Sequence, residues 1–444
     1  MGKQYFGTDG VRGTVGQDPM TADFAMRLAS AAARVLVPTG GTVLIGKDTR
    51  LSGYMFESAL EAGFVAAGAD VLLLGPLPTP GIAVLTQEFN ADLGVVISAS
   101  HNPYYDNGIK FFDGTGSKLN DDVERQIEAQ LEQSVITLES KLLGKAKRID
   151  SARIRYQEFC AATFPSNLSL AGLKIVFDGA NGAAYKVGPR TLGDLGADLI
   201  PIGCSPNGRN INDGCGSTHT TLLQTTVPAI AADVGIALDG DGDRVVMIDE
   251  NGELIDGDQL LYILAIARKA SGQLKGPVVG TVMSNLGLEH ALRDKDIEFQ
   301  RAQVGDRSVL EMLKKTGGML GGETSGHVII LDRTTTGDGM VCALQVLAVM
   351  QETGRKLSEL VAGMSKYPQT MINVRVARKT NPNDSPVIRE AAAKAQSELA
   401  DTGRIVLRAS GTEAVIRVMV EGQDKQVVDD VAKRLADVVA AASA

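Results

Sequence analysis

The sequence predicts an α/β protein of four units, in which three α/β units are followed by a smaller α+β unit. The chain has 444 residues, more than one domain usually contains. Helical and strand patterns alternate along most of it, and the strands are almost entirely apolar, as in largely parallel sheets covered by helices on both faces. At residues 366–372 the pattern changes, and two strands then follow each other directly, which indicates an antiparallel sheet.

The first unit is predicted over residues 1–150. Its strands are short apolar runs and its helices are amphipathic, so the strands should lie between layers of helices. The polar stretch 144–151 is interpreted as a linker or as the start of an inter-domain helix. The predicted elements are helices at 21–37, 54–68 and 120–133 and strands at 42–48, 71–75 and 93–100.

Three further units are predicted over residues 151–255, 256–367 and 368–444. The second and third repeat the alternation of strands and helices, and the fourth contains the two adjacent strands and ends in a helix. Their predicted strands lie at 173–179, 197–203, 234–240, 276–282, 298–304, 404–410 and 414–422.

Composition and charge argue against several classes of protein. The net charge of −9 argues against a nucleic-acid-binding or membrane-surface protein. The N-terminal residues do not predict a signal peptide, and no run of about 18 apolar residues predicts a membrane-spanning helix. The cysteines lack a C-x-x-C pair, which predicts reduced thiols in a cytoplasmic protein. They are Cys160, Cys204, Cys215 and Cys342.

The segment I-S-A-S-H-N-P at 97–103 places Ser100 at the end of an apolar strand. Open α/β sheets bind ligands at the carboxyl ends of their strands, so Ser100 is a candidate acceptor of a transferred group. Ser98 is a competing candidate, because residues two apart on a strand point the same way. An ordinary turn after a strand would also favour Ser and Asn.

The segment L-D-G-D-G-D-R at 238–244 predicts a metal-binding loop. Asp239, Asp241 and Asp243 would repel one another unless a cation gathers them, and oxygen ligands suit a hard ion such as Mg²⁺. A plain hairpin turn is one alternative. A calcium loop of the EF-hand type is another, with Glu250 at its twelfth position, but Arg244 stands where that loop requires glycine.

Two more clusters are candidate binding loops. G-G-E-T-S-G-H at 321–327 offers Glu323, Ser325 and His327 to sugar hydroxyls, and its carboxylate could pair with a ligand amine. R-A-S-G-T-E at 408–413 follows a strand and combines hydroxyls, backbone N–H groups and guanidinium groups, which suits a phosphate. The candidates in and after it are Arg408, Ser410, Gly411, Thr412 and Arg417.

Arg12 and Lys110 are further candidate cations. The four clusters fall one to each predicted unit, so the site is expected in a central cleft between them. A hydroxyl acceptor, a metal loop, a polyol loop and an anion loop together indicate phosphoryl transfer on a sugar.

These clusters resemble those of the α-D-phosphohexomutase superfamily, in the same order and over the full chain. The strings YFGTDGVRG, ISASHNPYYDNGIKFF, LDGDGDRVVMIDENG, GGETSGH and RASGTEAVIRVMVEG are most similar to those of bacterial phosphoglucosamine mutases. The resemblance implies four domains around a cleft, with mixed sheets in the first three. Ser100 would be the phosphoserine. Asp239, Asp241 and Asp243 would bind Mg²⁺ together with the serine phosphate.

The resemblance also implies roles for the remaining candidates. Glu323 and Ser325 would contact the sugar, and the loop at 408–412 with Arg417 would grip the phosphate that is not being transferred. Some related phosphomannomutases and phosphoglucomutases carry a histidine near 304–308, where this chain has Asp306-Arg307, which counts against glucose or mannose phosphate as the main substrate. The resemblance places the following residues at the active site without settling each role: Arg12, His101, Lys110, Arg244 and His327.

The implied activity is the interconversion of glucosamine 6-phosphate and glucosamine 1-phosphate through a glucosamine 1,6-bisphosphate. This bisphosphate or another sugar bisphosphate would prime the enzyme. This reaction would supply amino-sugar nucleotide and cell-wall precursor synthesis. The expected partner is a phosphorylated amino sugar, with no nucleic acid or membrane, and relatives suggest a homodimer. The alternatives are a phosphoglucomutase or phosphomannomutase, a metal-dependent sugar phosphatase and a non-catalytic sugar-phosphate sensor. Lys110 or His101 would take the hydroxyl proton, Lys110 only if nearby cations lower its pKa.

Overall fold

A computed structural model describes residues 4–7, 9–378, 381–409 and 414–443. Within these residues the strands form four sheets of six, five, four and three strands, in chain order. No described helix combines the length and apolar character needed to cross a bilayer.

The first sheet has the order β1-β5-β4-β2-β3-β6 and is mixed, because β1 and β5 run antiparallel to their neighbours. Its helices begin where the sequence offers caps: Thr21 and Asn120 accept backbone N–H groups of the first turns of α1 and α4. The elements are β1 Val11–Thr14, α1 Ala22–Leu36, β2 Gly41–Lys47, α2 Gly53–Ala66, β3 Ala69–Pro76, α3 Thr79–Glu88, β4 Leu93–Ile97, β5 Asp106–Asp113, α4 Asp121–Gln130 and β6 Ala146–Arg148.

Three strands of this sheet differ from the sequence analysis, which did not predict β1. The interpretation of 144–151 as a linker or helix start is wrong for Ala146–Arg148, which pairs with β3 in parallel. Its side chains are mostly exposed, so no apolar run marks it. The sequence analysis also missed β5, which begins with the turn-like residues Asp-Asn-Gly but is buried between β1 and β4.

The second sheet has the order β11-β10-β9-β7-β8. Strands β9 and β10 form an antiparallel hairpin, and the predicted metal loop is its turn. The elements of this part are α5 Ala152–Thr163, β7 Lys174–Asp178, α6 Val187–Asp194, β8 Asp198–Ile202, α7 Thr221–Ala229, β9 Val234–Leu238, β10 Val245–Ile248 and β11 Leu254–Ile255.

The third sheet has the order β13-β12-β14-β15. Its last two strands are an antiparallel hairpin whose turn is the predicted sugar loop. The elements are α8 Gly257–Ala270, β12 Val278–Thr281, α9 Leu286–Arg293, β13 Phe299–Ala302, α10 Asp306–Thr316, β14 Leu320–Gly322, β15 Val328–Ile330, α11 Gly339–Thr353 and α12 Leu357–Val361.

The fourth sheet is antiparallel, with the order β16-β18-β17. Helices α13 and α14 pack on it. Three α/β parts with mixed sheets and a smaller C-terminal α+β part confirm the predicted fold class. The elements are β16 Gln369–Arg375, α13 Pro386–Leu399, β17 Gly403–Ala409, β18 Val415–Gly422 and α14 Lys425–Ala442.

Candidate active site

Ser100 lies in the turn that follows β4, and its side chain is fully buried. Its φ of +51° is in the left-handed region, which is uncommon for a residue with a Cβ. The hydroxyl donates a hydrogen bond of 2.5 Å to Asp239 Oδ2 of the predicted metal loop. The turn therefore directs the Ser100 hydroxyl toward the aspartates.

Ser98 is also buried, but its hydroxyl has other partners. Ser98 Oγ donates to Asp48 Oδ2 at 2.6 Å and accepts the backbone N–H of Ser100 at 2.9 Å. Both hydrogen bonds hold the turn together, and neither leads to the metal loop. The geometry therefore favours Ser100 over Ser98 as the acceptor.

The three aspartates of the loop between β9 and β10 are buried and close together. Asp239, Asp241 and Asp243 each offer one carboxylate oxygen, and these oxygens lie within 4.8 Å of one another. Asp241 Oδ1 and Asp243 Oδ1 have no hydrogen-bond partner among the described residues. Converging, unsatisfied carboxylate oxygens fit a hard divalent cation.

The EF-hand alternative is wrong. The loop is flanked by strands, and Glu250 Oε1 accepts a hydrogen bond from Ser358 Oγ at 2.6 Å instead of joining the aspartates. The glycines serve close packing, because a Cβ on Gly240 would lie 2.6 Å from the Ser100 carbonyl oxygen. The loop thus abuts the serine turn directly.

The charges of the loop are unevenly balanced. Burial, followed by repulsion from Asp243 and Asp241, raises the pKa of Asp239 well above its ordinary value. Burial would also raise the pKa of Asp243, but Lys110, His327 and Arg244 outweigh it and lower that pKa. A bound cation would relieve the repulsion at Asp239.

Lys110 lies on β5 and points into the aspartates. Its Nζ is 2.8 Å from Asp241 Oδ2, 2.9 Å from Asp9 Oδ2 and 3.8 Å from Asp243 Oδ2. Burial would lower the pKa of Lys110, but Asp241 and Asp9 raise it. A role as a base would require nearby cations to lower the pKa of Lys110, but the effect of the carboxylates is larger. In this structure Lys110 therefore offsets the negative charge of the aspartates.

His101 lies between Ser100 and Arg244. Its Nδ1 is 3.4 Å from Ser100 Oγ and 3.1 Å from Arg244 Nη1. Burial, followed by Arg244 and Arg12, lowers the pKa of His101 to about 4. The ring is therefore neutral at pH 7. Arg12 forms an ion pair with Asp9.

The loop between β14 and β15 brings two of its three candidates to the cleft. Glu323 Oε1 accepts the backbone N–H of Gly305 at 3.0 Å. His327 is buried, with Nδ1 3.6 Å from Asp243 Oδ2 and Nε2 3.7 Å from Asp306 Oδ2. Burial would lower the pKa of His327, but the two carboxylates raise it. Ser325 is exposed and is not part of the cleft wall.

These groups surround a cleft of about 410 Å³. Its wall combines cations and carboxylates from the first three sheets, which suits a ligand that carries both phosphate and hydroxyl or ammonium groups. The charged and histidine side chains that line it are Asp9, Arg12, His101, Asp243, Arg244, Asp306, Glu323 and His327.

The predicted phosphate loop is described only at its two ends. Arg408 on β17 and Arg417 on β18 are exposed and face each other as register partners across the two strands. They are not part of the cleft wall. Ser410, Gly411 and Thr412 lie outside the described residues.

The sequence analysis missed several polar residues that support the site. Lys118 forms ion pairs with Asp9 and Asp306, and so joins the first sheet's unit to the third. Arg50 and Asn212 donate to the carbonyl of Ser100. Lys118 and Asn212 belong to no motif, and only their contacts in the fold identify them.

Family models for all four parts of one architecture match the chain. Domains I, II and III of phosphoglucomutase/phosphomannomutase, each described as α/β/α, match residues 3–135, 155–252 and 256–367. The C-terminal domain of the same family matches residues 371–438.

Curated relatives match over almost their whole length. The chain is 57% identical over 441 residues to the phosphoglucosamine mutase of Nitrosococcus oceani, covering 99% of this chain and 98% of the relative. It is 54% identical over 442 residues to phosphoglucosamine mutase 1 of Shewanella amazonensis, covering 99% of each.

Solved structures show the same fold at lower identity. A phosphoglucomutase/phosphomannomutase family protein from Burkholderia thailandensis matches with a TM-score of 0.83 at 24% identity, covering 100% of this chain and 98% of that one. Aspergillus fumigatus N-acetylphosphoglucosamine mutase, in complex with GlcNAc-6P and magnesium, matches with a TM-score of 0.71 at 19% identity, covering 99% and 96%. The chain belongs to the phosphoglucomutase/phosphomannomutase family and, within it, to the phosphoglucosamine mutases.

Proposed function

We propose that this chain interconverts D-glucosamine 6-phosphate and D-glucosamine 1-phosphate, with Ser100 as the carrier of the phosphoryl group. The relatives that are more than half identical to it over nearly the whole chain are phosphoglucosamine mutases, so the enzyme is a mutase, a class of isomerase. The observation that carries the role of Ser100 is its buried hydroxyl, which donates to Asp239 in a triad of aspartates beside the cleft.

The cycle begins with phosphorylated Ser100. The bond between phosphorus and Ser100 Oγ breaks, a bond to O1 of glucosamine 6-phosphate forms, and the proton of that hydroxyl passes to a base. The product, glucosamine 1,6-bisphosphate, reorients in the cleft. In the second transfer the bond between O6 and its phosphorus breaks while a bond to Ser100 Oγ forms. The Ser100 hydroxyl gives up its proton, O6 takes up the proton held by the base, and glucosamine 1-phosphate leaves.

Charge balance assigns the cations. A phosphoserine carries about −1.5 to −2 charges, next to three aspartates. Lys110, Arg244 and Arg12 are the nearby cations that offset this charge during the transfer. The negative oxygens of a phosphoryl group repel the oxygen that attacks it. Because these three cations offset that negative charge, they also lower the barrier to transfer.

Mg²⁺ is the proposed metal, held by Asp239, Asp241 and Asp243 and by the phosphate on Ser100. The buried, converging oxygens support it, as does the magnesium in the Aspergillus fumigatus relative. When bound, the metal stabilises negative charge on the group in transfer. A sugar bisphosphate is proposed as the primer of the unphosphorylated enzyme.

Recognition of the substrate is divided between two loops. Glu323 lies in the cleft wall, where its carboxylate can accept sugar hydroxyls or pair with the substrate ammonium. Ser325 and His327 complete the proposed sugar loop. Arg408, Ser410, Gly411, Thr412 and Arg417 are proposed to hold the phosphate that stays on the sugar.

The proton acceptor is proposed to be His101 or Lys110. His101 is neutral, and its Nδ1 lies 3.4 Å from Ser100 Oγ. Lys110 is paired with the carboxylates of Asp9 and Asp241, and it would be released only if a bound cation replaced it there. Separate His101→Ala and Lys110→Ala variants should distinguish them, since the loss of the true base removes the rising limb of the pH–rate profile.

The test of the proposal is Ser100→Ala. This variant should fold and lose mutase activity in a coupled assay on glucosamine 6-phosphate with Mg²⁺ and a bisphosphate primer. Peptide mass mapping of the wild type should find one phosphate, at Ser100. Near-normal turnover by Ser100→Ala, or a phosphate on Ser98, would refute the assignment. Release of inorganic phosphate without isomerisation would indicate a phosphatase.

The remaining parts of the proposal concern organisation. We propose four domains, at residues 1–150, 151–255, 256–367 and 368–444, because all strands of each sheet fall within one of these ranges. A homodimer is proposed from the family resemblance alone, and light scattering tests it. A cytoplasmic location is proposed from the cysteines, which form no disulfide.

A further inference from the structure

The turn that carries Ser100 is held by two side chains that have no part in the cycle above. Arg50 follows β2, and its Nη2 lies 2.9 Å from the Ser100 carbonyl oxygen and 2.8 Å from that of Asn102. Asn212 precedes α7, and its Nδ2 lies 2.9 Å and 3.1 Å from the same two oxygens. Two donors from different units therefore grip the same carbonyl groups.

Arg50 is itself fixed in one geometry. It is fully buried, it also contacts the Pro103 carbonyl oxygen, and its Nε lies 2.8 Å from Asp48 Oδ2. Asp48 Oδ2 accepts Ser98 Oγ, which in turn accepts the Ser100 N–H. The network thus holds the Ser100 peptide groups on both sides of its Cα.

Such support has a physical purpose. A non-glycine residue in the left-handed region is strained by roughly 1–2 kcal/mol, so the conformation persists only where the surroundings enforce it. With φ at +51°, Ser100 depends on such enforcement. In a relaxed conformation, Ser100 Oγ would leave the position 2.5 Å from Asp239 Oδ2.

We propose that Arg50 and Asn212 are positioning residues, which keep Ser100 in its strained conformation and its Oγ aligned with the aspartates both before and after phosphorylation. The inference rests on the proposed role of Ser100. Asn212 comes from the same unit as the metal loop, so it also holds the serine turn in register with that loop.

The decisive variant is Asn212→Gly. The φ of Asn212 is +57°, which glycine adopts freely, so the substitution removes both hydrogen bonds and keeps the backbone path open. We expect kcat to fall about 10- to 100-fold, with KM changed less than about threefold because the residue touches no substrate. The single-turnover rate of Ser100 phosphorylation by glucosamine 1,6-bisphosphate should fall by the same factor.

The matched control is Asn90→Gly. Asn90 also has a left-handed φ, +49°, but it is exposed and lies before β4, at the end of that strand opposite Ser100. This variant carries the same change in chain entropy as Asn212→Gly but removes no hydrogen bond to the serine turn, so kcat should stay within about twofold of wild type.

Arg50→Lys provides a second, independent reading. It keeps a positive charge against Asp48 and loses the planar set of donors. Since Arg50 and Asn212 share two acceptors, the double variant should lose less than the product of the two single losses. If Arg50→Lys does not fold, Asn212→Gly alone decides.

Wild-type kcat and phosphorylation rate in folded Asn212→Gly would overturn the proposal. So would an equal loss of kcat in Asn90→Gly, because the effect would then come from the added glycine and not from the lost hydrogen bonds. Wild-type enzyme that acquires no phosphate on Ser100 from glucosamine 1,6-bisphosphate would instead refute the proposed function, so the two failures are distinguishable.

Discussion

The first three units and the fourth unit are built into the molecule in different ways. Apolar side chains from each of the first three units meet in one shared core, which includes Leu44, Ile236 and Val341, while other apolar side chains of the first unit form a second core around Val43. The described residues of the fourth pack into two separate small clusters, around Val418 and Val420. The chemical centre therefore lies in a fused body, and the proposed phosphate loop lies on a unit with its own core.

The two regions also differ in their polar contacts. Around Ser100 the side chains that form the network are buried: Asp48, Arg50, Ser98 and Asn212. The fourth unit is anchored to the third by Arg404, whose Nη1 and Nη2 lie 3.0 Å and 2.6 Å from the carbonyl oxygens of Val282 and Ser284. Glu421 pairs with Arg404 and accepts the Leu286 N–H at 3.1 Å. Phosphoryl transfer needs fixed atoms, whereas a site that must accept either end of a sugar tolerates a separately held unit.

The largest expected effect is on the fused body. Asp241→Asn removes one charge of the triad, and because the metal contributes several kcal/mol to the transfer, kcat should fall at least about 1,000-fold. Chelation should abolish wild-type activity, and added Mg²⁺ should restore it. The control is Asp198→Asn, an exposed site in the same unit, which should keep full activity. Activity that survives chelation would contradict the metal site.

The anchor of the fourth unit tests the separation of the two regions. Glu421 is fully buried, so Glu421→Gln leaves Arg404 without its counter-charge and should destabilise the fourth unit by about 3–5 kcal/mol. Calorimetry should show a separate, earlier transition for this unit. A single transition shared by the whole chain would show that all four units unfold together and would break the comparison.

A pH effect is expected inside the fused body. Burial, followed by Asp256, raises the pKa of Asp258 to about 6. The pKa of Asp258 is higher in the folded protein than in the unfolded chain. Its contribution to the free energy of unfolding is therefore fully present below about pH 4 and is lost as the pH rises through about 6. The free energy of unfolding of Asp258→Asn, measured with urea, should therefore rise relative to wild type as the pH goes from 4 to 7, by roughly 3 kcal/mol at most. A difference that does not vary with pH would contradict it.

The smallest effect is expected at the exposed strands of the fourth unit. Arg417→Ala should raise KM for glucosamine 6-phosphate about tenfold, since a hydrogen bond to a charged group contributes roughly 1.5 kcal/mol or more. The control is Arg434→Ala, which removes a surface ion pair with Glu398 and should leave KM unchanged. An unchanged KM in Arg417→Ala would place the phosphate site elsewhere.

The parts of the site that the sequence reveals are those encoded in short strings. The metal loop could be predicted because three carboxylates within five residues repel one another unless a cation binds, and the hairpin between β9 and β10 needs only local apolar patterns. The alternation of elements likewise predicted the four-part fold.

The rest depends on contacts between distant parts of the chain. Asn212 reaches Ser100 across 112 positions, and Lys118 reaches Asp306 across 188. Strand β5 was missed because Asn107 and Gly108 favour a turn locally, and pairing on both sides overrides that preference. The single sequence contains no signal for such pairings.

The anchor of the fourth unit has a mechanical consequence. Arg404 is at one end of β17 and Arg408 near the other, about 13 Å apart at the usual rise of a strand. The two strands can therefore turn as one body about the ion pair between the partly buried Arg404 and the buried Glu421. A rotation of about 10° would carry Arg408 through about 2 Å, enough to make or break a hydrogen bond to a phosphate. A small rotation at the Arg404–Glu421 ion pair would therefore produce a larger displacement at Arg408.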